Sequence, residues 1–440
     1  MKIHFIAIGG SAMHNLAIAL HKKGYKVTGS DDAIFSPSKE RLLEHNLHPK
    51  QIGWNKKNIT ADLDQVILGM HAKEDNIELL EAKKLKIPIY SYPEYIYLQS
   101  KTKKRIVIGG SHGKTTITAM ILHVLKKTKF NFDYMVGAQL QGFDTMVKIT
   151  KKNSLIILEG DEYLSSAIDR RPKFHLYKPH IAVISGISWD HINVFPSFKN
   201  YIEQFRIFKN TVVEKLIYFK EDIELQKLMN EKINCDKVGY STPPHTIKNG
   251  VTKINKTKLK FFGEHNLQNL NAARLVCNDL GISDKVFLKN ISSFEGASKR
   301  MELLKSNNNR AIYKDFAHSP SKLKATISAL KKQFTNRKLI ACLELHTFSS
   351  LNLNFLSEYK DTMQNADIAV IYVNPKNIMN KRLKPITKEQ LEISFNRTDI
   401  KFFTDSSKLE KELKKIKWAD KNLLMMSSGN FNNIKLSEIF

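Results

Sequence analysis

Cysteine is scarce: Cys235, Cys277 and Cys342 form an odd and widely spaced set. That excludes a disulfide-stapled scaffold and suits a reducing compartment. No apolar run approaches the roughly 20 residues that cross a bilayer, which excludes a transmembrane helix. A signal peptide is not expected either, because the short apolar run Ile3–Ile8 passes straight into Gly9-Gly10 and a helical pattern. Arginine is scarce as well. Only 11 of the 70 basic residues are Arg, and the Lys are spread along the chain with no zinc-finger, RRM or helix-turn-helix pattern to focus them. Recognition of bases and phosphates leans on the planar Arg fork, so the net charge of +27 reads as solvated surface, with no nucleic-acid partner. A basic surface still favours anionic small molecules.

What is present is a globular composition, 42% hydrophobic and 26% charged over 440 residues, enough for two to four domains. The apolar pattern alternates strands with helices. Ile3–Ile8, Val66–Gly69, Ile106–Ile108, Leu155–Glu159 and Ile181–Ser185 read as buried strands, with Ala12–Lys22 and Thr115–Lys126 helical. The rhythm resumes with strands at Ala311–Phe316, Lys338–Leu345, Asp367–Val373 and Leu423–Ser427, and a helix over Ser321–Lys332. This predicts an α/β protein with parallel sheets. Two polar stretches, Leu98–Arg105 and Lys305–Asn309, read as links between domains, and Tyr240–Gly250 reads as a loop. Three domains follow, over 1–102, 103–302 and 303–440.

The sharpest motif is Ile108-Gly109-Gly110-Ser111-His112-Gly113-Lys114-Thr115-Thr116. It follows a strand and opens a helix, where backbone N–H groups and the helix dipole attract phosphate. Lys114 would neutralise the β/γ oxygens of ATP, and the Thr115 hydroxyl would ligate Mg²⁺. It departs from a full Walker A, since Ile108 stands where a glycine would be. Glu159-Gly-Asp-Glu162 and Trp189-Asp190-His191 follow strands, at the ends where open α/β sheets place ligands. Beside a P-loop, their carboxylates and imidazole could hold metal ions bridging ATP and an anionic substrate. The turn Gly9-Gly10-Ser11, with Ser30-Asp31 after the second strand, reads equally as a pyrophosphate turn or as the tight turn any α/β unit needs. Ala12 to Asn15 lack the later glycines of a dinucleotide fingerprint. Gly263–Asn266, Ser298–Glu302, Asp315–Pro320 and His346 read singly as caps, surface pairs or turns.

Taken in order, these motifs resemble the Mur ligase family over nearly the whole chain. The resemblance implies a Rossmann-like N-terminal domain for the UDP-sugar, a central P-loop ATPase domain and a Rossmann-like C-terminal domain for the acceptor. It implies ATP bound by Gly110, Ser111, His112, Gly113, Lys114, Thr115, Thr116, Asn266, Arg300 and Asp315, with Mg²⁺ on Thr115, Glu159 and His191. Lys114, His191 and Arg300 are the implied catalytic residues. Gly9, Gly10, Ser11, Ser30 and Asp31 are the implied UDP-sugar contacts, and His318 and His346 the acceptor contacts.

The implied reaction joins the lactate carboxylate of UDP-N-acetylmuramate to an amine through an acyl phosphate, in peptidoglycan synthesis or recycling. The length of Asp161–Phe174 and the terminal Met426-Ser-Ser-Gly-Asn-Phe431 resemble the branch whose acceptor is the tripeptide L-alanyl-γ-D-glutamyl-meso-diaminopimelate. Free L-alanine is the alternative. Phe205 stands where later-acting members carry a carbamylated Lys, which resembles the lactate-adding branch. Gly186 and Ser188 replace a family Asn and Glu, and they favour a rival reading as a nucleotide-binding scaffold without catalysis. A cytoplasmic monomer or weak oligomer, not inserted in a membrane, is expected.

Overall fold

The computed structural model describes residues 1–190, 194–248, 250–296 and 301–439. The described chain forms two compact units, the first from 1–189, 194–241 and 272–287, the second from the rest. Both are α/β. The first unit holds two sheets. One is four-stranded and wholly parallel, in the order Lys26–Ser30, Lys2–Ile6, Gln65–Leu68, Ile89–Ser91. The other runs Asp236–Tyr240, Lys215–Phe219, Ile181–Ile184, Lys104–Gly109, Leu155–Glu159, Asp133–Met135, Val147–Lys148, parallel except for the last strand. Their inner strands are unbroken apolar runs, such as Ile106-Val-Ile108 and Ile156-Ile-Leu158, and each of these residues is wholly buried. That is the pattern of parallel strands covered on both faces, where no polar side is needed.

The second unit carries a six-stranded sheet in the order Glu302–Asn307, Arg310–Asp315, Lys421–Met426, Lys338–Leu345, Ile368–Val373, Lys401–Phe403, parallel except for its first strand. Beside it in sequence lies a small antiparallel sheet of Thr246–Lys248, Val251–Ile254 and Thr257–Lys258. Among the described residues no helix is long and apolar enough to cross a membrane.

Three expectations change. Lys305–Asn309 is no link but part of the hairpin that pairs Glu302–Asn307 with Arg310–Asp315. Tyr240–Gly250 includes a strand over Thr246–Lys248. The polar stretch Leu98–Arg105 is packed rather than solvated, because two of its cations, Lys103 and Arg105, are buried. Lys103 Nζ lies 2.9 Å from Asp133 Oδ2 and donates to the Thr150 carbonyl. Arg105 Nη1 donates to the carbonyls of Ser100, Lys101 and Lys103, and its Nε to those of Tyr177 and Lys178, all at 2.9–3.0 Å. The guanidinium thus fastens the end of helix Tyr92–Ser100 to the central sheet.

Candidate active site

Strand Lys104–Gly109 ends in the loop Gly110–Gly113, and helix Lys114–Lys127 begins directly after it. Gly110 has φ +125°, and a Cβ there would lie 2.2 Å from Ser185 Oγ. Gly113 caps the helix at φ +75°. Only glycine takes such conformations without strain. The loop is held from the side by the segment after strand Ile181–Ile184. Ser111 N donates to Gly186 O at 2.9 Å, and Ser188 N donates to Ser111 Oγ at 2.9 Å. Ser185 Oγ donates to the His112 carbonyl. Gly186 has φ +146°, so the glycine that departs from the family pattern suits its backbone. Thr116 is buried in the first helical turn.

A chain of hydroxyls carries this support to a buried carboxylate. Tyr201 OH donates to Glu162 Oε1 at 3.3 Å, so it accepts from Ser111 Oγ, 2.8 Å away. Glu162 Oε2 lies 2.6 Å from Lys114 Nζ, which also donates to Gly110 O at 2.8 Å. Burial pulls the Lys114 ammonium down, but Glu162, and then Asp161, hold its pKa above the usual lysine value. Lys114 is therefore a fixed cation. Next to it, Thr115 Oγ1 donates to Glu159 Oε1 at 2.8 Å, and Gly137 N donates to Glu159 Oε2 at 2.7 Å. Burial pushes the Glu159 carboxyl up, against the opposing pull of the Gly137 N–H and the Thr115 hydroxyl.

The loop offers backbone N–H groups and an ammonium to phosphate, and a hydroxyl and carboxylate to a hard cation. A carboxylate whose ionised form is penalised by burial gains from a neighbouring positive charge, so these residues fit Mg²⁺. His191 and Arg300 lie outside the described residues. Phe205 is wholly buried, edge-on to Phe174 and Tyr201 at 5.4 and 5.2 Å.

At the four-stranded sheet, Gly9, Gly10, Ser11 and Asp31 come together. Gly9 N donates to Asp31 Oδ2 at 2.6 Å, and Asp32 N donates to Asp31 Oδ1 at 2.9 Å. Burial raises the Asp31 carboxyl to about 6 despite the Gly9 hydrogen bond. Gly10, at φ −56°, caps helix Ser11–Lys22. Ser30 is a correction: its side chain is wholly buried, with its hydroxyl donating to Glu78 and 3.3 Å from His4 Nε2. It braces the strand end from within and is not free to meet the sugar. Glu78 also accepts from Asn55 N and Asn58 Nδ2, both at 2.8 Å. Nothing in the local pattern singles out that buried acid, which the sequence leaves on a helical face.

In the second unit, the parallel strands Arg310–Asp315, Lys338–Leu345 and Lys421–Met426 bring Asp315, His318 and His346 to one sheet edge. Asp315 accepts from Met301 N and from Ala317 N, fixing the backbone on both sides. His318 Nδ1 is 2.8 Å from the Phe316 carbonyl, and His346 Nδ1 is 3.3 Å from Ser428 Oγ. Glu344, which sequence reasoning missed, is buried there and accepts from Ser427 Oγ and from Phe431 N. Asn266 sits on helix Glu264–Asp279 and donates to the Phe262 carbonyl at 2.8 Å.

Three family models match the chain: "Mur ligase family, catalytic domain" over residues 2–103, "Mur ligase middle domain" over 108–277 and "Mur ligase, glutamate ligase domain" over 299–429. The chain is 31% identical over 411 residues to a UDP-N-acetylmuramate–L-alanine ligase from Caldicellulosiruptor bescii, covering 89% of this chain and 87% of that one. A ligase with the same description from a Sulfurihydrogenibium species is 31% identical over 385 residues, 84% of this chain and 82% of its own. Among solved structures, a UDP-N-acetylmuramate–alanine ligase from Thermotoga maritima is similar with a TM-score of 0.69, 22% identity and coverage of 98% and 96%. A murein peptide ligase from Psychrobacter arcticus is similar with a TM-score of 0.66, 21% identity and the same coverage. At these identities the two structures speak to the fold.

Proposed function

The chain belongs to the Mur ligase family of ATP-dependent, ADP-forming ligases of peptidoglycan synthesis, and we propose that its substrates are UDP-N-acetylmuramate and L-alanine. The observation that carries this reading is the pair of L-alanine ligases at 31% identity over more than four fifths of the chain. The tripeptide suggested by Asp161–Phe174 loses support, because that segment closes on itself. Ser165 N and Oγ both donate to Arg171 O, Asp169 N donates to Ser166 Oγ, and Lys173 holds Asp161 at 2.6 Å. It behaves as a loop variation. The domains 1–102, 103–302 and 303–440 are assigned to UDP-sugar, ATP and acceptor, and the enzyme to the cytoplasm, where ATP and UDP-linked precursors are available.

The physical problem of the reaction is to bring two anions, a carboxylate and the γ-phosphate, within bonding distance. Lys114 and the N–H groups of Gly110–Thr116, apart from that of Ser111, which Gly186 O holds, neutralise the phosphate chain, with Arg300 as a further cation. Thr115, Glu159 and His191 would hold Mg²⁺, which supplies charge neutralisation at the phosphate oxygens. Gly137 keeps the Glu159 carboxylate aimed, and Glu162 keeps the Lys114 ammonium charged and in place. Gly9, Gly10, Ser11 and Asp31 take the UDP-sugar. His318 and His346 take the acceptor, whose amine attacks the acyl phosphate with loss of phosphate.

The test is ADP and phosphate release from ATP, Mg²⁺ and UDP-N-acetylmuramate with L-alanine or the tripeptide as acceptor. Alanine-dependent release is expected. Release that depends on the tripeptide alone overturns the acceptor assignment and leaves the ligase reading standing. ATP binding without release with either acceptor identifies a scaffold.

A further inference from the structure

We propose that Asn15 is a positioning residue that couples the UDP-sugar end of this ligase to its ATP end, by holding through Met146 the loop 137–146 whose first residue fixes Glu159. The inference rests on the assignment of those two ends above.

Asn15 lies one turn into helix Ser11–Lys22, just behind the Gly9-Gly10-Ser11 turn, and is wholly buried. Its Oδ1 accepts from Met146 N at 2.9 Å. Its Nδ2 donates to Ser11 O at 2.8 Å and lies 3.4 Å from Met146 Sδ. His14 fixes which way the amide points. The His14 Nδ1 is 2.9 Å from Gly10 O, which can only accept, so Nδ1 carries the hydrogen and Nε2 accepts from Asn15 Nδ2, 2.9 Å away. Burial, the dominant influence on this ring, favours the neutral form that this arrangement needs. A flipped amide would set its oxygen against the Ser11 carbonyl and its NH₂ against the Met146 N–H. With Nδ1 protonated, Ser38 Oγ, 3.0 Å from it, can only accept. The two amide hydrogens of Asn15 then go to Ser11 O and His14 Nε2 and its oxygen to Met146 N, a path that runs from the Gly10 carbonyl to the Met146 amide.

The far side of that contact is a braced loop. Tyr134 OH donates to the Thr145 carbonyl, and Lys126 donates to the Gly142 carbonyl and lies over the Phe143 ring. Arg41 adds a second, partly exposed tie, donating to Gln139 Oε1 at 3.0 Å and to Asp144 O at 2.6 Å. The loop opens at Gly137, whose N–H donates to Glu159, and where a Cβ would lie 2.7 Å from Glu159 Oε1. A shift of helix Ser11–Lys22 that accompanies filling of the Gly9-Gly10 turn is thus passed to the backbone that aims Glu159 at Thr115. A buried amide fixes such a register, whereas an apolar contact would allow sliding. Its presence at a position where a dinucleotide turn would carry small residues has this physical reason.

Coupling between sites is reciprocal and is read as a ratio of affinities. By calorimetry on the full chain, UDP-N-acetylmuramate and a non-hydrolysable ATP analogue with Mg²⁺ are each titrated alone and in the presence of the other. Each is expected to tighten the other by roughly tenfold in the wild type. In Asn15→Ala each ligand should still bind alone within about threefold, while the ratio falls below about twofold. Arg41→Ala loosens the same loop at Gln139 and Asp144, from its exposed flank, does not threaten folding, and should cut the ratio by at least about threefold. A wild type without coupling, or an unchanged ratio in either Asn15→Ala or Arg41→Ala, overturns the proposal. A wild type that binds neither ligand takes down the assignment of the two ends itself, and this inference with it.

Discussion

The tetrapeptide Ile-Gly-Gly-Ser occurs twice, at Ile8–Ser11 and at Ile108–Ser111, and it folds differently each time. In the first copy the strand stops at Ile6, Ala7 takes φ +69°, and Gly10 at φ −56° caps a helix that starts at once with Ser11. In the second the strand runs on through Gly109, Gly110 turns at φ +125°, and the helix is delayed to Lys114 by Gly113 at φ +75°. The result is a tight turn in one place and a cradle of amide groups in the other. The residues that follow make the difference. Ala12-Met-His-Asn15 continues into a helix, whereas His112-Gly-Lys114 adds one more left-handed step and a cation. Charge diverges in the same way. The first turn faces one buried carboxylate, Asp31, while the second surrounds a lysine held by Glu162. A glycine pair after a strand is thus not by itself an ATP cradle.

The largest expected effect breaks the second copy. Lys114→Ala should lower turnover by about a thousandfold, through loss of phosphate neutralisation. It should also lower the melting temperature, because a buried Glu162 left without its cation costs about 3 kcal/mol or more. The double variant Lys114→Ala/Glu162→Gln should recover most of the melting temperature and none of the turnover. Activity within tenfold of wild type in Lys114→Ala would sink the cradle assignment.

Alanine in place of the second glycine of each copy measures the contrast directly. Gly110→Ala puts a methyl group 2.2 Å from Ser185 Oγ in a left-handed backbone, and it should cost several kcal/mol, seen as loss of folded protein or a large drop in melting temperature. Gly10→Ala puts its methyl group no nearer than 3.4 Å to any neighbour, at Met13 Cγ, with an ordinary φ, and it should change stability by less than about 0.5 kcal/mol. Similar losses in both would show that the two turns are alike after all.

The smallest effect concerns pH at the first copy. Burial pushes the Asp31 carboxyl up to about 6 from its ordinary 3.8, so its ionisation opposes folding. Stability from this group is full below about pH 4, falls as the pH rises towards 6, and is constant above; the loss is about 2 to 3 kcal/mol. Asp31→Asn keeps an acceptor for Gly9 N without the charge. Its melting temperature should exceed that of wild type at pH 7.5 and match it at pH 4. An equal difference at both values would mean that the carboxylate is not the cause.

Much of this was legible from apolar patterning. Leu155–Glu159 and Lys338–Leu345 were predicted at the ends the structure gives them, and most other strands moved by a residue or two, because buried parallel strands are continuous apolar runs bounded by turns. Strand Glu302–Asn307 was not legible: all six of its residues are exposed, so nothing in Leu-Leu-Lys-Ser-Asn marks a face. The fate of Ser30 was hidden too, since a serine at a strand end reads the same whether it meets a ligand or a buried acid 48 residues away. Tyr201 and Gly137 carry no local signal, as their roles depend on partners brought from other strands. Motifs name the groups that face a ligand, and the groups that aim them are found only by folding.

The Arg105 guanidinium is spent on five carbonyl oxygens and, among the described residues, on no carboxylate, with one set of acceptors before it in sequence and the other more than seventy residues after. Such a clasp has no use in a part that works alone. A chimaera cut in this seam would take the guanidinium from the carbonyls of Tyr177 and Lys178, and a shortened chain without Lys103 would leave the buried Asp133 carboxylate with the Thr150 and Asn153 donors but without its cation. The end of helix Tyr92–Ser100 and the sheet that follows are in that sense one mechanical piece, and an exchange of either would have to carry the clasp along with the parts it joins.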